Sequence, residues 1–220
     1  MNLIEQNLTA IREKLPEGVT LVAVSKTKPI EDLQEAYNAG QRDFGENKIQ
    51  ELIYKQPLLP RDVRWHMIGH VQTNKIKYIA PFIHLIHGID REKVLVELNK
   101  RAELEGKVIM GLLQIHIAQE SEKFGFDPKD MENLIPHLKE RYPHVQIKGL
   151  MGMATFTRDT HQIANEFKGL ADFFHRCIET HGMAWDTLSM GMSGDYELAL
   201  KAGSTMIRVG SSIFGARSPH

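Results

Sequence analysis

The chain has 220 residues, enough for one substantial core, and its 42% hydrophobic and 25% charged content is that of a globular protein rather than a disordered chain. Lysine and arginine number 27 against 28 aspartates and glutamates, a formal net charge of -1, so no basic field exists to attract nucleic acid or an anionic membrane. A lone cysteine, Cys177, excludes an internal disulfide, the start MNLIEQNLTAIREKL lacks the apolar core of a signal peptide, and no apolar run is long enough to span a bilayer. A cytoplasmic location is expected.

Ile4, Leu8, Ile11 and Leu15 recur at helical spacing and predict an amphipathic helix that ends before Pro16 and Gly18. The apolar run 21–24 then reads as a strand, and Pro29 opens a helix that closes at Gly40. Further strands are predicted at 43–45, 65–69, 82–89, 108–117, 145–153, 187–190 and 205–209, eight in all. Helices are predicted at 47–58, 73–80, 91–105, 128–141, 160–181 and 195–202. Such alternation specifies a parallel sheet covered by helices. The expected fold is an α/β protein, a single (β/α)8 TIM-type barrel over residues 1–220 with an extra N-terminal helix; an open doubly wound sheet is the alternative. Little chain follows the eighth strand, so the N-terminal helix is expected to stand in for the last barrel helix.

Two turns rich in glycine and hydroxyl groups follow the last two strands: Gly191-Met192-Ser193-Gly194-Asp195 and Gly210-Ser211-Ser212. In barrels these loops commonly bind phosphate, because glycine lets backbone N–H groups approach an anion and a helix N-terminus adds a favourable dipole. Ser193 alone would be read as the N-cap of the helix that begins near Gly194. Paired turns at consecutive strand ends favour a phosphate site instead.

Lys26 follows the first strand with the parity of Val22 and Val24, so an inward-facing Val22 and Val24 would lift its amine from the barrel mouth. Desolvation there would expose the free amine that attack on an aldehyde requires; a solvated surface lysine is the plain alternative. Lys28 lies beside Pro29 and the helix entry, where a surface position is expected. Arg208 interrupts the apolar run Met206-Ile207-Val209 just before a glycine turn, and a guanidinium in a barrel strand needs a partner. That partner is either a neighbouring carboxylate or the pyridine nitrogen of a bound cofactor. In the second case Arg208, which can only donate, keeps that nitrogen unprotonated and the ring a weak electron sink.

At these residues the sequence resembles the YggS/PROSC family of pyridoxal-phosphate homeostasis proteins. The shared motifs are AVSKTKP at 23–29, FGENKIQE at 44–51, WHMIGHVQTNK at 65–75, SEKFGF at 121–126, KGLMGM at 148–153, LSMGMSGDYELA at 188–199 and GSTMIRVGSSIFGAR at 203–217. The resemblance implies a barrel related to the N-terminal domain of alanine racemase that binds pyridoxal 5'-phosphate (PLP) without established turnover. It implies that Lys26 is the Schiff-base lysine and Arg208 the pyridine-nitrogen partner. Ser193, Gly194, Gly210 and Ser211 match its phosphate positions, Asn47 lies at the ring side of the pocket, and His66 and Met151 or Met153 line it. The chain departs from the family pattern at Ser211, where threonine is common, at Lys148, where arginine is usual, and at His116, a frequent asparagine position.

The role that follows is a monomeric holder of reactive aldehyde that contributes to PLP and amino-acid homeostasis, with PLP-dependent apoenzymes as partners. Amino-acid racemisation is the enzymatic rival, but it needs a second acid/base on the opposite face of the substrate, supplied in alanine racemase by a tyrosine of an additional domain. No such domain is expected here, and Tyr37, Tyr54, Tyr78, Tyr142 and Tyr196 have no evident route to that role. A Schiff-base aldolase would also use a barrel lysine and a phosphate site, but Arg208 argues against it. His66 with His70, and His84 with His87, lack an accompanying metal-ligand pattern, and Cys177 reads as packing.

Overall fold

In the computed structural model the residues described are 2–120 and 124–216; Ser121, Glu122 and Lys123 of the SEKFGF motif and Arg217 of the last motif lie outside them. Helix α1 (Leu3–Arg12) starts at Asn2, whose side chain accepts the Glu5 N–H, and buries Ile4, Leu8 and Ile11. Strand β1 (Thr20–Val24) leads to α2 (Ile30–Asn38), β2 (Asp43–Glu46) to α3 (Ile49–Lys55), β3 (Arg64–Met67) to the short α4 (Ile76–Ile79), and β4 (Leu85–Ile89) to α5 (Glu92–Leu104). Strand β5 (Ile109–Gln114) is followed by α6 (Pro128–Leu134) and α7 (Leu138–Arg141). Strand β6 (Val145–Met151) leads to α8 (Thr160–His181), β7 (Thr187–Ser189) to α9 (Tyr196–Lys201), and β8 (Met206–Val209) to the one-turn α10 (Ser211–Phe214).

The eight strands are parallel and close in sequence order, with β8 paired back to β1 through Leu21 with Ile207 and Val22 with Arg208. This is the expected barrel, and closure removes the open-sheet alternative. The N-terminal helix does complete the ring: α1 lies against α10, and Asn7 donates its side-chain N–H to the Ile213 carbonyl at 2.9 Å. The helix predicted over 128–141 is broken by Pro136, which falls in a 3-10 turn, Ile135–His137, between α6 and α7. Strand β4 begins later than predicted because Phe82 and Ile83 still donate to the Ile79 carbonyl at the end of α4.

Strand parity sorts the core into two parts. Leu21, Ala23, Ile207 and Val209 point outward into the large apolar shell between sheet and helices, together with Leu33, Leu52 and Phe167. Burying each such large side chain contributes about 1.5–3 kcal/mol. Val22, Leu85, Leu112, Met151 and Met206 point inward and form a small separate cluster inside the barrel. The rest of the interior is polar: Asp43, His66, His87, Ser189 and Arg208 are all buried there.

Candidate functional site

A cavity of about 580 Å³ opens at the carboxyl ends of the strands, the end where barrels of this kind place their chemistry. Lys26, Asn47, Ser193, Gly194, Arg208, Gly210 and Ser211 all line it.

Lys26 sits in the turn just beyond β1, and the next residue, Thr27, takes φ 64, a left-handed conformation that a β-branched residue adopts only under constraint. The constraint comes from β2 and α3. Glu51 accepts the Thr27 N–H at 2.8 Å, and Lys55 donates through Nζ to the Ser25 carbonyl at 2.8 Å and to Glu46 Oε1 at 2.7 Å. The Ser25 hydroxyl also donates to Glu46 Oε1, at 2.7 Å. Burial pushes the Glu46 carboxyl up to about 7, opposed by the Lys55 charge and its hydrogen bond. Lys28 is not the solvated lysine expected from its place beside Pro29. It is half-buried, and Nζ donates to the carbonyls of Phe214, Gly215 and Ala216 at 2.8, 3.2 and 3.2 Å, closing the end of α10.

Across the cavity, Ser193 does not cap α9, which begins after Asp195. Its Oγ instead accepts the backbone N–H groups of Gly210 at 3.2 Å and Ser212 at 3.4 Å, so donors from the turn after β8 converge on one oxygen from the turn after β7. Converging main-chain N–H groups are the geometry of an anion site. Gly191 makes it possible: at φ 99, a Cβ there would lie 2.7 Å from Ala199 Cβ and 2.9 Å from Tyr196 Cα, so only glycine lets the first turn close onto α9.

Arg208 is 3% exposed and points into the barrel beside Met206. It donates to Ser189 Oγ at 2.5 Å and to the Gly152 carbonyl at 3.1 Å. The carboxylate whose charge acts on it is Asp195, at the turn before α9, and the direct hydrogen bonds of Arg208 go to a hydroxyl and a carbonyl instead. Burial lowers its pKa to about 10, against the opposing charge of Asp195, so the guanidinium stays protonated at neutral pH.

Two sequence candidates lie elsewhere. Met151 is fully buried in the inner cluster beneath the cavity, and of the two candidates it is Met153, two residues on with the same parity, that lines it. His66 is fully buried in the interior, bonded to Asp43 and His87 and away from the cavity wall. The reason is that β3 carries the cavity-facing parity one step further, to Ile68 and then His70 at the rim. The sequence reading missed His70, Phe124 and Met192. His70 stacks on Phe124 with ring centroids 4.0 Å apart, and its Nδ1 bonds Asp90 at 2.6 Å. Asp43, His66 and His84 come together with ligand-type atoms within 4.8 Å of one another, a grouping made at three neighbouring strands that no local spacing announces.

Cys177 is buried on α8, and burial pushes its thiol up to about 11. Dithionitrobenzoate is expected to label it at the rate of global unfolding and not in the native state; fast labelling of native protein would contradict this.

The family model described as alanine racemase, N-terminal domain, matches residues 1–218. The pyridoxal phosphate homeostasis protein of Vibrio alginolyticus is 38% identical over 232 residues, 99% of this chain and 99% of that one. Its counterpart in Escherichia coli K12 is 38% identical over 238 residues, 99% and 98% of the two chains. PipY of Synechococcus elongatus PCC7942, solved with PLP bound, superimposes with a TM-score of 0.89 at 36% identity over 96% of this chain and 100% of that one. Alanine racemase from E. faecalis shares the fold alone, at 15% identity and TM-score 0.75, over 98% of this chain and 58% of that one. Fold and cavity together define an alanine-racemase-type barrel whose mouth combines a lysine, a buried arginine and converging main-chain donors. The chain belongs to the YggS/PROSC family of pyridoxal phosphate homeostasis proteins.

Proposed function

We propose that this chain binds PLP, holds it covalently through Nζ of Lys26, and serves the homeostasis of PLP and amino acids rather than the turnover of a substrate. The observation that carries the reading is Arg208, a buried protonated guanidinium whose direct hydrogen bonds go to Ser189 and the Gly152 carbonyl, in one cavity with Lys26 and the turn whose N–H groups converge on Ser193 Oγ. A buried cation of that kind fits a ligand that offers it a lone pair. PipY, 36% identical, binds PLP.

When bound, PLP supplies an aldehyde that condenses with a primary amine and a ring that draws electrons from that carbon. Lys26 offers the amine, at the tip of a turn fixed from below by Glu46, Glu51 and Lys55. Gly194, Gly210 and Ser211, with the Ser193 hydroxyl, would hold the phosphate, and Asn47 would flank the ring. Arg208 can only donate, so it keeps the ring nitrogen unprotonated and restrains carbanion chemistry. None of the five tyrosines lines the cavity, so the second acid/base of a racemase has no tyrosine candidate. Delivery of cofactor to apoenzymes by a monomeric, cytoplasmic carrier completes the reading.

Titrating PLP into apo-protein is expected to produce a visible absorbance band that borohydride removes, leaving a reduced adduct on Lys26. A colourless mixture, or an adduct on another lysine, would overturn the reading. Metabolite profiling of a deletion strain tests the homeostasis role: broad imbalance of B6 vitamers and amino acids supports a carrier, and accumulation of one substrate supports an enzyme.

A further inference from the structure

The barrel interior contains a polar chain that starts at Arg208 and whose other members the cofactor reading does not use. Arg208 donates to Ser189 Oγ at 2.5 Å, Ser189 Oγ lies 3.0 Å from His87 Nδ1, His87 Nε2 lies 2.8 Å from His66 Nδ1, and His66 Nε2 lies 2.9 Å from Asp43 Oδ1. It runs from the cavity to the amino end of the strands, across β8, β7, β4, β3 and β2. At the far end Arg64 grips Asp43 with a two-pronged contact, Nε to Oδ1 at 2.8 Å and NH2 to Oδ2 at 2.5 Å. Asp43 is 7% exposed and the histidines and serine are fully buried, so water is largely shut out.

The chemistry of the groups fixes the direction of every proton. A guanidinium only donates, so Ser189 Oγ accepts from Arg208; its second lone pair could take a His87 Nδ1–H, but the buried hydroxyl proton would then lack an acceptor among the described residues, so it goes to His87 Nδ1. His87 then carries its hydrogen on Nε2 and gives it to His66 Nδ1. His66 in turn carries its hydrogen on Nε2 and gives it to the Asp43 carboxylate. The chain closes with each donor matched to an acceptor, a cation at one end and a carboxylate at the other. A doubly protonated His66 breaks the pattern: it would force the His87 hydrogen onto Nδ1, facing Ser189, whose own proton would then have no acceptor among the described residues. The same accounting disfavours a metal at Asp43, His66 and His84, because both ring nitrogens of His66 and both oxygens of Asp43 are already bonded within the protein.

We propose that Asp43, His66, His87 and Ser189 are positioning residues that form a one-directional hydrogen-bond chain through the barrel and hold the Arg208 guanidinium oriented toward the cofactor ring. Two of the five guanidinium N–H groups are engaged by Ser189 and Gly152, which fixes its plane and leaves the others for the cavity. The inference about the ring rests on the PLP reading; the chain itself does not.

Long-range 1H–15N spectra of 15N-labelled apo-protein test the chain without cofactor. Both His66 and His87 are expected to be neutral with hydrogen on Nε2. A cationic His66, hydrogen on His87 Nδ1, or a stoichiometric shift of the His66 and His84 signals on adding Zn2+ would overturn it. In PLP-loaded protein, His87→Leu is expected to move the visible band and weaken PLP binding roughly tenfold, the scale of one hydrogen bond to a charged group. His87→Gln, which can accept from Ser189 and donate onward, is expected to restore both. Melting curves of the apo-variants come first, and Ser189→Ala, a smaller change, takes the place of His87→Leu if that variant does not fold. An unmoved band and unchanged affinity in a folded variant would overturn the positioning role. A parent that does not bind PLP sinks the cofactor reading while the tautomers still test the chain.

Discussion

Lys26→Ala binds PLP on the order of 100-fold more weakly than the parent, and borohydride fixes no adduct to it. The substitution removes the amine proposed to bond the aldehyde carbon. The phosphate turn and Arg208 keep hydrogen bonds of their own, Ser193 with Gly210 and Ser212, and Arg208 with Ser189 and Gly152. The turn itself also stays in place: the Thr27 N–H is held by Glu51, and the Ser25 carbonyl by Lys55. The variant should therefore melt close to the parent without cofactor. It should also lose the extra melting temperature that PLP confers on the parent, since a ligand stabilises in proportion to the logarithm of its concentration over Kd. Retention of a lysine adduct in this variant would move the site to another residue. An apo-protein that melts far below the parent would make Lys26 a structural residue first.

Lys55→Met destabilises the fold by about 3–5 kcal/mol, the usual cost of removing one partner of a buried pair and leaving the other. Lys55 and Glu46 are 4% and 0% exposed at the side chain and lie 2.7 Å apart, and Glu46 Oε2 already has no partner among the described residues. The loss depends on pH in a defined direction. The Glu46 carboxyl is held at about 7 in the fold against 4.5 for an accessible one, so between these values the folded state binds the proton that the unfolded state releases. Its contribution is greatest below about 4.5 and fades as pH rises through 7. Without Lys55 the carboxyl rises further and the decline reaches to higher pH. Urea denaturation at pH 5 and pH 8 measures this, and Glu46→Gln/Lys55→Met should regain most of the loss at pH 8. Equal stability of parent and Lys55→Met at pH 8 would show that the pair carries no net weight.

That Lys26, Arg208 and the two glycine turns meet around one cavity was legible because each combines a strand end with an unusual residue, and both signals survive in one dimension. The parity of Val22 and Val24 also carried through, since a closed parallel barrel leaves a strand no choice of face. His66 was misplaced because a motif shows that a residue belongs to a strand but not at what height along the barrel axis it sits. The interior chain was illegible for a related reason. Asp43, His66, His87, Ser189 and Arg208 come from five strands, and only closure of the sheet brings them within hydrogen-bonding distance. The pairing of the two turns placed Ser193 in a phosphate site rather than a helix cap, but its partners, Gly210 and Ser212, lie on the other turn and become visible only in space.

Consecutive residues of β8 face opposite ways, Ile207 and Val209 into the shell, Met206 and Arg208 into the barrel. Under the PLP reading, a change at Ile207 or Val209 is felt through the fold, and one at Arg208 through the ligand. A strand of four residues thus sets a structural and a ligand-facing demand side by side, and under that reading the lining of such a barrel can exchange one chemistry for another while its wall is held fixed.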